Sequence, residues 1–322
     1  TRLALHAAHS LRYDFPDGIF LVSLSGMGSR VAFLPALAST LGVSFQREWG
    51  DPFEQLIGYL QHRRLLLILD SFEEALDAAP WVTRLLQSAP NLQLLATSRA
   101  RLNIQVEQVF PLEGLDYPDP ASPNITLLNR EDYSALQLFH NTASQVYPDH
   151  PHSPADLLHL ARICQLVDGM PLGVVLAAGW LGTCTPAEIA AEIERSLDFL
   201  ASSYSDLPAR QRSLRATLDH SWQLLSPEER AAFHKLSVFH GAFTRQAADQ
   251  VTQVNAAGLR ALVDKSMLQV SAGAYRMHDL LRQYGAEKLA LDQSASYQAR
   301  DAHCGYFLQR LAGYEPRLKS AQ

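Results

Sequence analysis

Asp70 closes an unbroken apolar run, Leu65-Leu66-Leu67-Ile68-Leu69. A run of that length reads as a buried strand of a parallel sheet. Its carboxylate then falls at the strand's C-terminal end, the edge at which open α/β sheets bind ligands. Nucleotide hydrolases place an aspartate there to hold Mg²⁺; an ordinary Asp-Ser turn after a buried strand gives the same string. Arg99 ends a second such run, Leu94-Leu95-Ala96-Thr97-Ser98. A fixed cation beside the Asp70 strand end can touch a terminal phosphate and so favour a triphosphate over a diphosphate. The plain alternative is a surface arginine. Gly169-Met170-Pro171-Leu172 opens a helix, and its proline offers an apolar face to a flat base or serves only as helix punctuation. Met277-His278-Asp279 offers an imidazole that could reach a phosphate, although His-Asp pairs also arise by chance in long chains.

Thr1-Arg2-Leu3-Ala4-Leu5 places a hydroxyl at the first residue of a helix-like stretch. The phosphate loop G-x-x-x-x-G-K-[ST] ends in the same way. The glycines, the lysine and a preceding strand are not visible, so the chain reads as beginning one residue after that lysine.

These residues need a frame. Helical patterns over 1–11, 31–42, 52–63 and 73–88 alternate with strand candidates at Ile19–Val22, Leu65–Asp70 and Leu92–Thr97. Such alternation with short links predicts a doubly wound parallel sheet. Residues 116–124 are rich in Pro and Asp and read as a linker. Helical patterns follow over 131–146, 154–168, 171–182 and 186–201, broken at Pro148, Pro151, Gly169 and Pro171. A third module begins near Leu207. Ser226-Pro227-Glu228-Glu229 is a capping box with proline at the first helical position. Further helices open at Phe243-Thr244 and Asn255, and a hairpin turns at Ala272-Gly273. Helices followed by a small hairpin make a winged-helix pattern.

Composition excludes several classes. The formal charge of −6 argues against a wholesale nucleic-acid or membrane binder. Three widely spaced cysteines form neither a disulfide framework nor a metal knuckle, and the closest histidines, His150 and His152, lie in a Pro-rich loop. A reducing, cytoplasmic setting is the expectation. Gly26-Met27-Gly28-Ser29-Arg30-Val31 suggests a dinucleotide loop, but Val31 stands at the third glycine position and no acid ends a strand about 20 residues on. No G-x-S-x-G elbow supports a serine hydrolase. DNA binding through the winged helix is the stronger rival. Between Ser205 and Lys288 there are 11 Lys and Arg against 8 Asp and Glu, and the presumptive recognition helix at 256–264 offers only Arg260, with Lys265 just beyond. A groove-reading helix normally brings several contacts.

Six phrases in order carry a wider likeness: LLLILDSFEEALDAAP, LLATSRARL, EQVFPLEGL, LVDGMPLGVVLAAGWL, RSLRATLDHSWQLLSPEERAAFHKLSVFHGAFT and YRMHDLLRQYGAEKL. Over about residues 1–310 the chain resembles the STAND class of signalling ATPases. These carry the NB-ARC and NACHT-like switch module, and the likeness extends to bacterial transcriptional regulators with C-terminal tetratricopeptide repeats. The resemblance implies a multidomain α/β plus α chain. A parallel-sheet, P-loop-type nucleotide domain, without its first strand and P-loop, would cover 1–115. A helical domain would cover 116–204, a winged-helix domain 205–290, and the helical start of a repeat region 291–322.

It also implies ATP or ADP and Mg²⁺ as ligands, and partner contact or self-association through repeats. Thr1 would be the Walker A hydroxyl on Mg²⁺, Asp70 the Walker B acid and Arg99 the sensor of the γ-phosphate. Pro171 would pack on adenine, and His278 would hold the β-phosphate of ADP. Ser71 rather than an acid follows Asp70, and Glu73 is the nearest carboxylate beyond it. At most a slow Mg²⁺-dependent ATPase is implied, with nucleotide exchange as the switch, and without the P-loop lysine this stretch alone is expected to be inactive.

Overall fold

A computed structural model describes residues 1–27, 30–122, 125, 129–147, 156–201 and 212–319, with backbone only at 30, 47, 130, 146 and 313–319. Gly28, Ser29, Pro148, His150, Pro151, His152 and the opening of the third module at Leu207 lie outside the described residues. The chain divides into two compact units, Thr1–Phe110 and Pro111–Gln322.

In the first unit, β1 (Ile19–Ser23), β2 (Leu66–Asp70) and β3 (Gln93–Ala96) form a parallel sheet in the spatial order β1-β2-β3. Ser23 lies opposite Asp70, and Leu69 opposite Ala96. The central β2 is buried throughout, which is why its sequence runs apolar without alternation. Its side chains still divide by the two-residue period. Leu67 and Leu69 face α2 (Arg30–Leu41), α3 (Pro52–Leu60) and α4 (Ala79–Ser88), among Phe33, Leu37, Leu56 and Val82. Leu66 and Ile68 face α1 (Arg2–Ser10), which brings Ala4 and Ala8 beside Phe15. A one-residue slip of β2 would exchange the two faces and move Asp70 off the edge.

The helix expected over 73–88 is two pieces. Ser71 adopts φ 63°, a 3₁₀ stretch runs over Phe72–Ala78 with a break at Ala75, and only then does α4 begin. Pro80, inside the first turn of α4, fits a helix start and would break a helix interior.

The second unit holds α5 (Ser134–Val146), α6 (Asp156–Leu166), α7 (Pro171–Ala178), α8 (Pro186–Arg195), α9 (Leu214–Gln223) and α10 (Pro227–Leu236). Then come β4 (Ala242–Phe243), α11 (Arg245–Thr252), α12 (Ala256–Asp264), β5 (Gln269–Ser271), β6 (Ala274–Arg276), α13 (Asp279–Ala290) and α14 (Gln293–Lys319). One hydrophobic core runs from Ile125 to Tyr284. The expected hairpin is present: Ala272 and Gly273 both have positive φ, 49° and 78°, as a two-residue type I′ turn requires. Strand β4 adds to it antiparallel, in the order β4-β6-β5. At two residues, β4 is too short to leave a sequence pattern. The helix expected over 186–201 stops at Arg195, because Ser196 turns extended and its hydroxyl accepts the Asp198 N–H to start a short 3₁₀ turn.

Candidate functional site

The parallel register puts the C-terminal ends of β1, β2 and β3 along one edge of the sheet, with Asp70 at its centre. The Thr1 hydroxyl donates to Asp70 Oδ1 at 2.5 Å, so the start of α1 lies at the same edge. The Thr97 hydroxyl donates to the same oxygen at 2.7 Å and accepts the Ser71 N–H at 3.1 Å. The Phe72 N–H closes the arrangement on the Thr97 carbonyl at 2.9 Å. The turn after β2 is thereby joined to the turn after β3. The Asp70 side chain is only 6% exposed, and such burial is tolerable because hydroxyls hold its carboxylate.

Arg99 lies two residues beyond Thr97. Its backbone N–H donates to Glu73 Oε2 at 3.3 Å, and its Nε stands 3.6 Å from Glu73 Oε1. The Glu73 side chain is 4% exposed and that of Arg99 29%. The structure thus brings together Thr1 and Asp70 of the residues picked out by sequence, and it pairs Arg99 with Glu73. Thr97 was missed. Its signal was modest: a hydroxyl at the end of a strand adjacent to the one that ends in Asp70.

In the second unit, Pro171 is the first residue of α7 and is exposed, after Met170 in extended conformation. His278 caps α13, its Nδ1 accepting the Leu280 N–H at 2.9 Å. A ring whose Nδ1 accepts carries its proton on Nε2. That nitrogen is buried, makes no hydrogen bond among the described residues, and faces Asp168 Oδ2 at 3.6 Å. Burial holds the His278 pKa below the ordinary imidazole value, with the Asp168 charge opposing it. The other Asp168 oxygen accepts from the Tyr117 hydroxyl at 2.9 Å. Burial, then this bond, push the Tyr117 phenol up to about 12. Asp168 itself adopts φ 49° and Gly169 φ 62°. The chain at Gly114-Leu115 crosses them backbone to backbone, with the Leu115 N–H on the Gly169 carbonyl at 2.8 Å. Sequence reading took Pro171 and His278 but missed Asp168 and Tyr117, which the crossing brings to them.

Among the described residues no group of three or more His, Cys, Asp or Glu could hold a metal ion by itself, and no helix is long and apolar enough to cross a membrane. Thr1 and Asp70 do fit a hard cation that keeps most of its coordination for phosphate and water, since both present oxygens.

No family model matches the chain. Among curated proteins, one of Mycobacterium tuberculosis named as an HTH-type transcriptional regulator is 30% identical over 325 residues, covering 95% of this chain and 34% of that protein. An uncharacterized protein of the same organism is 29% identical over 303 residues, covering 90% of this chain and 73% of its own length. The regulatory protein AfsR of Streptomyces coelicolor is 30% identical over 321 residues, covering 92% and 29%. The chain spans about a third of the length of the first of these relatives. Among solved structures, the Walker-type ATPase of Pyrococcus abyssi superposes with a TM-score of 0.42 at 13% identity, covering 83% of each chain. A STAND protein with a tetratricopeptide-repeat sensor from Pyrococcus horikoshii gives 0.30 at 14%, covering 95% of this chain and 45% of that one.

Proposed function

We propose that the chain is the nucleotide-operated switch of a STAND-class regulator, comprising a P-loop-type nucleotide domain, a helical domain and a winged-helix domain. The observation that carries this reading is the Thr1 hydroxyl on Asp70 Oδ1 at the C-terminal end of the central parallel strand. A hydroxyl at a helix start and a carboxylate at a strand end form the pair with which such domains hold Mg²⁺ beside phosphates. Mg²⁺, when bound, would neutralise phosphate charge; Thr1 and Asp70 would hold it. Arg99 would meet the terminal phosphate of ATP, Pro171 would pack on adenine, and His278 would donate its Nε2 proton to the β-phosphate of ADP. The regulatory names of the mycobacterial and Streptomyces relatives support a role in transcriptional control for the longer parent protein.

Switching requires only that ATP and ADP bind two states with different affinity. About 5.5 kcal/mol of difference carries an equilibrium from 1:99 to 99:1, so rapid hydrolysis is unnecessary. The test is Asp70→Asn in the longer parent protein, with nucleotide affinity measured with and without Mg²⁺. The Mg²⁺-dependent part of ATP affinity is expected to disappear, and an unchanged value would remove Asp70 from the site.

Duplex DNA contact through α12 is the weaker reading. Lys265 directs its ammonium to Glu229 at 2.6 Å and to the Leu224 carbonyl at 2.9 Å, and Arg260 faces Asp264 at 3.6 Å. Salt-dependent binding of the chain to duplex DNA would restore it.

A further inference from the structure

Glu73 is a buried carboxylate three residues past the acid that the proposed site uses, and it is turned toward Arg99. It accepts the Arg99 backbone N–H at 3.3 Å, while the nearest guanidinium nitrogen, Nε, lies 3.6 Å from its other oxygen. The first contact fixes the start of the turn after β3. The second is an ion pair beyond hydrogen-bonding distance.

We infer that Glu73 is the resting counter-ion of Arg99 and a specificity-determining residue. It competes with the terminal phosphate of a nucleoside triphosphate for that guanidinium. The inference rests on the reading of Arg99 as the sensor of that phosphate. The chemistry sets the direction of the exchange. A phosphate presents several charged oxygens that a guanidinium can bond bidentately, which Glu73 at 3.6 Å does not do through Nε. A diphosphate lacks the terminal group and leaves the pair in place. Removing Arg99 from a carboxylate that is 4% exposed opposes capture, so only a ligand with the third phosphate displaces it. Glu73 therefore weakens ATP binding selectively.

Glu73→Gln tests this, because the amide keeps the shape and an acceptor for the Arg99 N–H while removing the charge. The probes are ADP and a non-hydrolysable ATP analogue, titrated against the longer parent protein with Mg²⁺. The variant is expected to bind the ATP analogue at least about fivefold tighter while ADP affinity stays within about twofold. In an Arg99→Gln background the same change at Glu73 is expected to do nothing. Weaker binding of the analogue would overturn the inference by making Glu73 a support for Arg99, and equal shifts for both nucleotides would overturn it by reducing Glu73 to packing. If Glu73→Gln does not fold, Glu73→Asp, which withdraws the carboxylate by one methylene, carries the same expectation and the same contrary outcomes. Failure of the unaltered parent protein to bind either nucleotide sinks the switch reading and this inference together. Binding with an unaltered ratio in the variants sinks only the inference.

Discussion

Asp70 in the first unit and Asp168 in the second are carboxylates at chain turns, yet their surroundings differ in kind. Asp70 ends a strand, is almost wholly buried, and receives two hydroxyls on one oxygen, from Thr1 and Thr97. Hydroxyl donors hold a carboxylate without cancelling its charge, which is what a cation ligand requires. Asp168 sits in left-handed backbone at 31% exposure, takes one phenol, and faces an imidazole that burial keeps neutral. A carboxylate beside a neutral N–H donor makes a tie that an incoming anion could replace at that donor. One acid is suited to holding a cation, and the other to restraining a donor until a ligand takes it.

The largest expected effect breaks the second region alone. A Cβ on Gly114 would stand 1.9 Å from the Asp168 carbonyl oxygen, and one on Gly169 would stand 2.0 Å from the Leu115 oxygen. Neither obstacle is a side chain that can swing aside. Gly114→Ala is expected to cost about 3 kcal/mol or more by forcing the crossing apart. Hydrogen exchange should rise around Asp168 and His278 while β2 keeps its protection. Equal loss of protection in β2 would show that the two regions are not independent.

Next comes the first region. Asp70→Ala deletes the acceptor of two hydroxyls in a buried setting, with an expected loss of about 2–3 kcal/mol in a urea titration. Tyr117→Phe, which leaves the backbone at Asp168 untouched, is expected to lose less, about 1 kcal/mol, since it removes the one hydroxyl that Asp168 accepts. The reverse order would invert the comparison. Thr97 separates holding from packing: Thr97→Val, nearly the same shape, should cost about 1 kcal/mol, while Thr97→Ser should retain most of it.

These contrasts also explain how much of the molecule the sequence made legible. Strand β2 was readable because burial on both faces leaves an uninterrupted apolar run, and the hairpin because Ala272-Gly273 meets the positive-φ demand of its turn. The Thr1–Asp70 pair came from resemblance, since nothing in local sequence links residues 69 positions apart. Thr97 and Tyr117 were not legible for the same reason: a hydroxyl shows its role only once a second element brings a carboxylate to it. Glu73 reads from sequence as a nearby acid, but its engagement with Arg99 joins residues 26 positions apart and leaves no local pattern. Asp168 was overlooked because its neighbour Gly169 accounts for the turn by itself.

The smallest effect is the most discriminating for the second region, because it depends on charge rather than shape. The pKa of His278 lies below the ordinary value of 6.5 in the folded chain, chiefly through burial. As pH falls below about 6.5 the unfolded chain therefore takes up a proton that the folded chain refuses, and stability declines until the lower folded value is reached. Asp168, the Val167 backbone and Asp279 favour the charged ring, and Arg276 opposes it. Asp168→Asn preserves the left-handed turn, which asparagine tolerates, and leaves an acceptor for Tyr117. It removes the charge that favours the imidazolium, so the folded value drops further and the decline in stability extends to lower pH. His278→Asn keeps a side-chain cap for α13 and removes the titration, so its loss between pH 7.5 and 5.5 shrinks. His234 and His303 are also held low by burial and add a slope of the same sign to every variant, so differences between variants carry the test. Urea midpoints at the two pH values measure them. If His278→Asn loses as much stability on acidification as the unaltered chain, the imidazole is not refusing a proton there, and Asp168 restrains something other than His278.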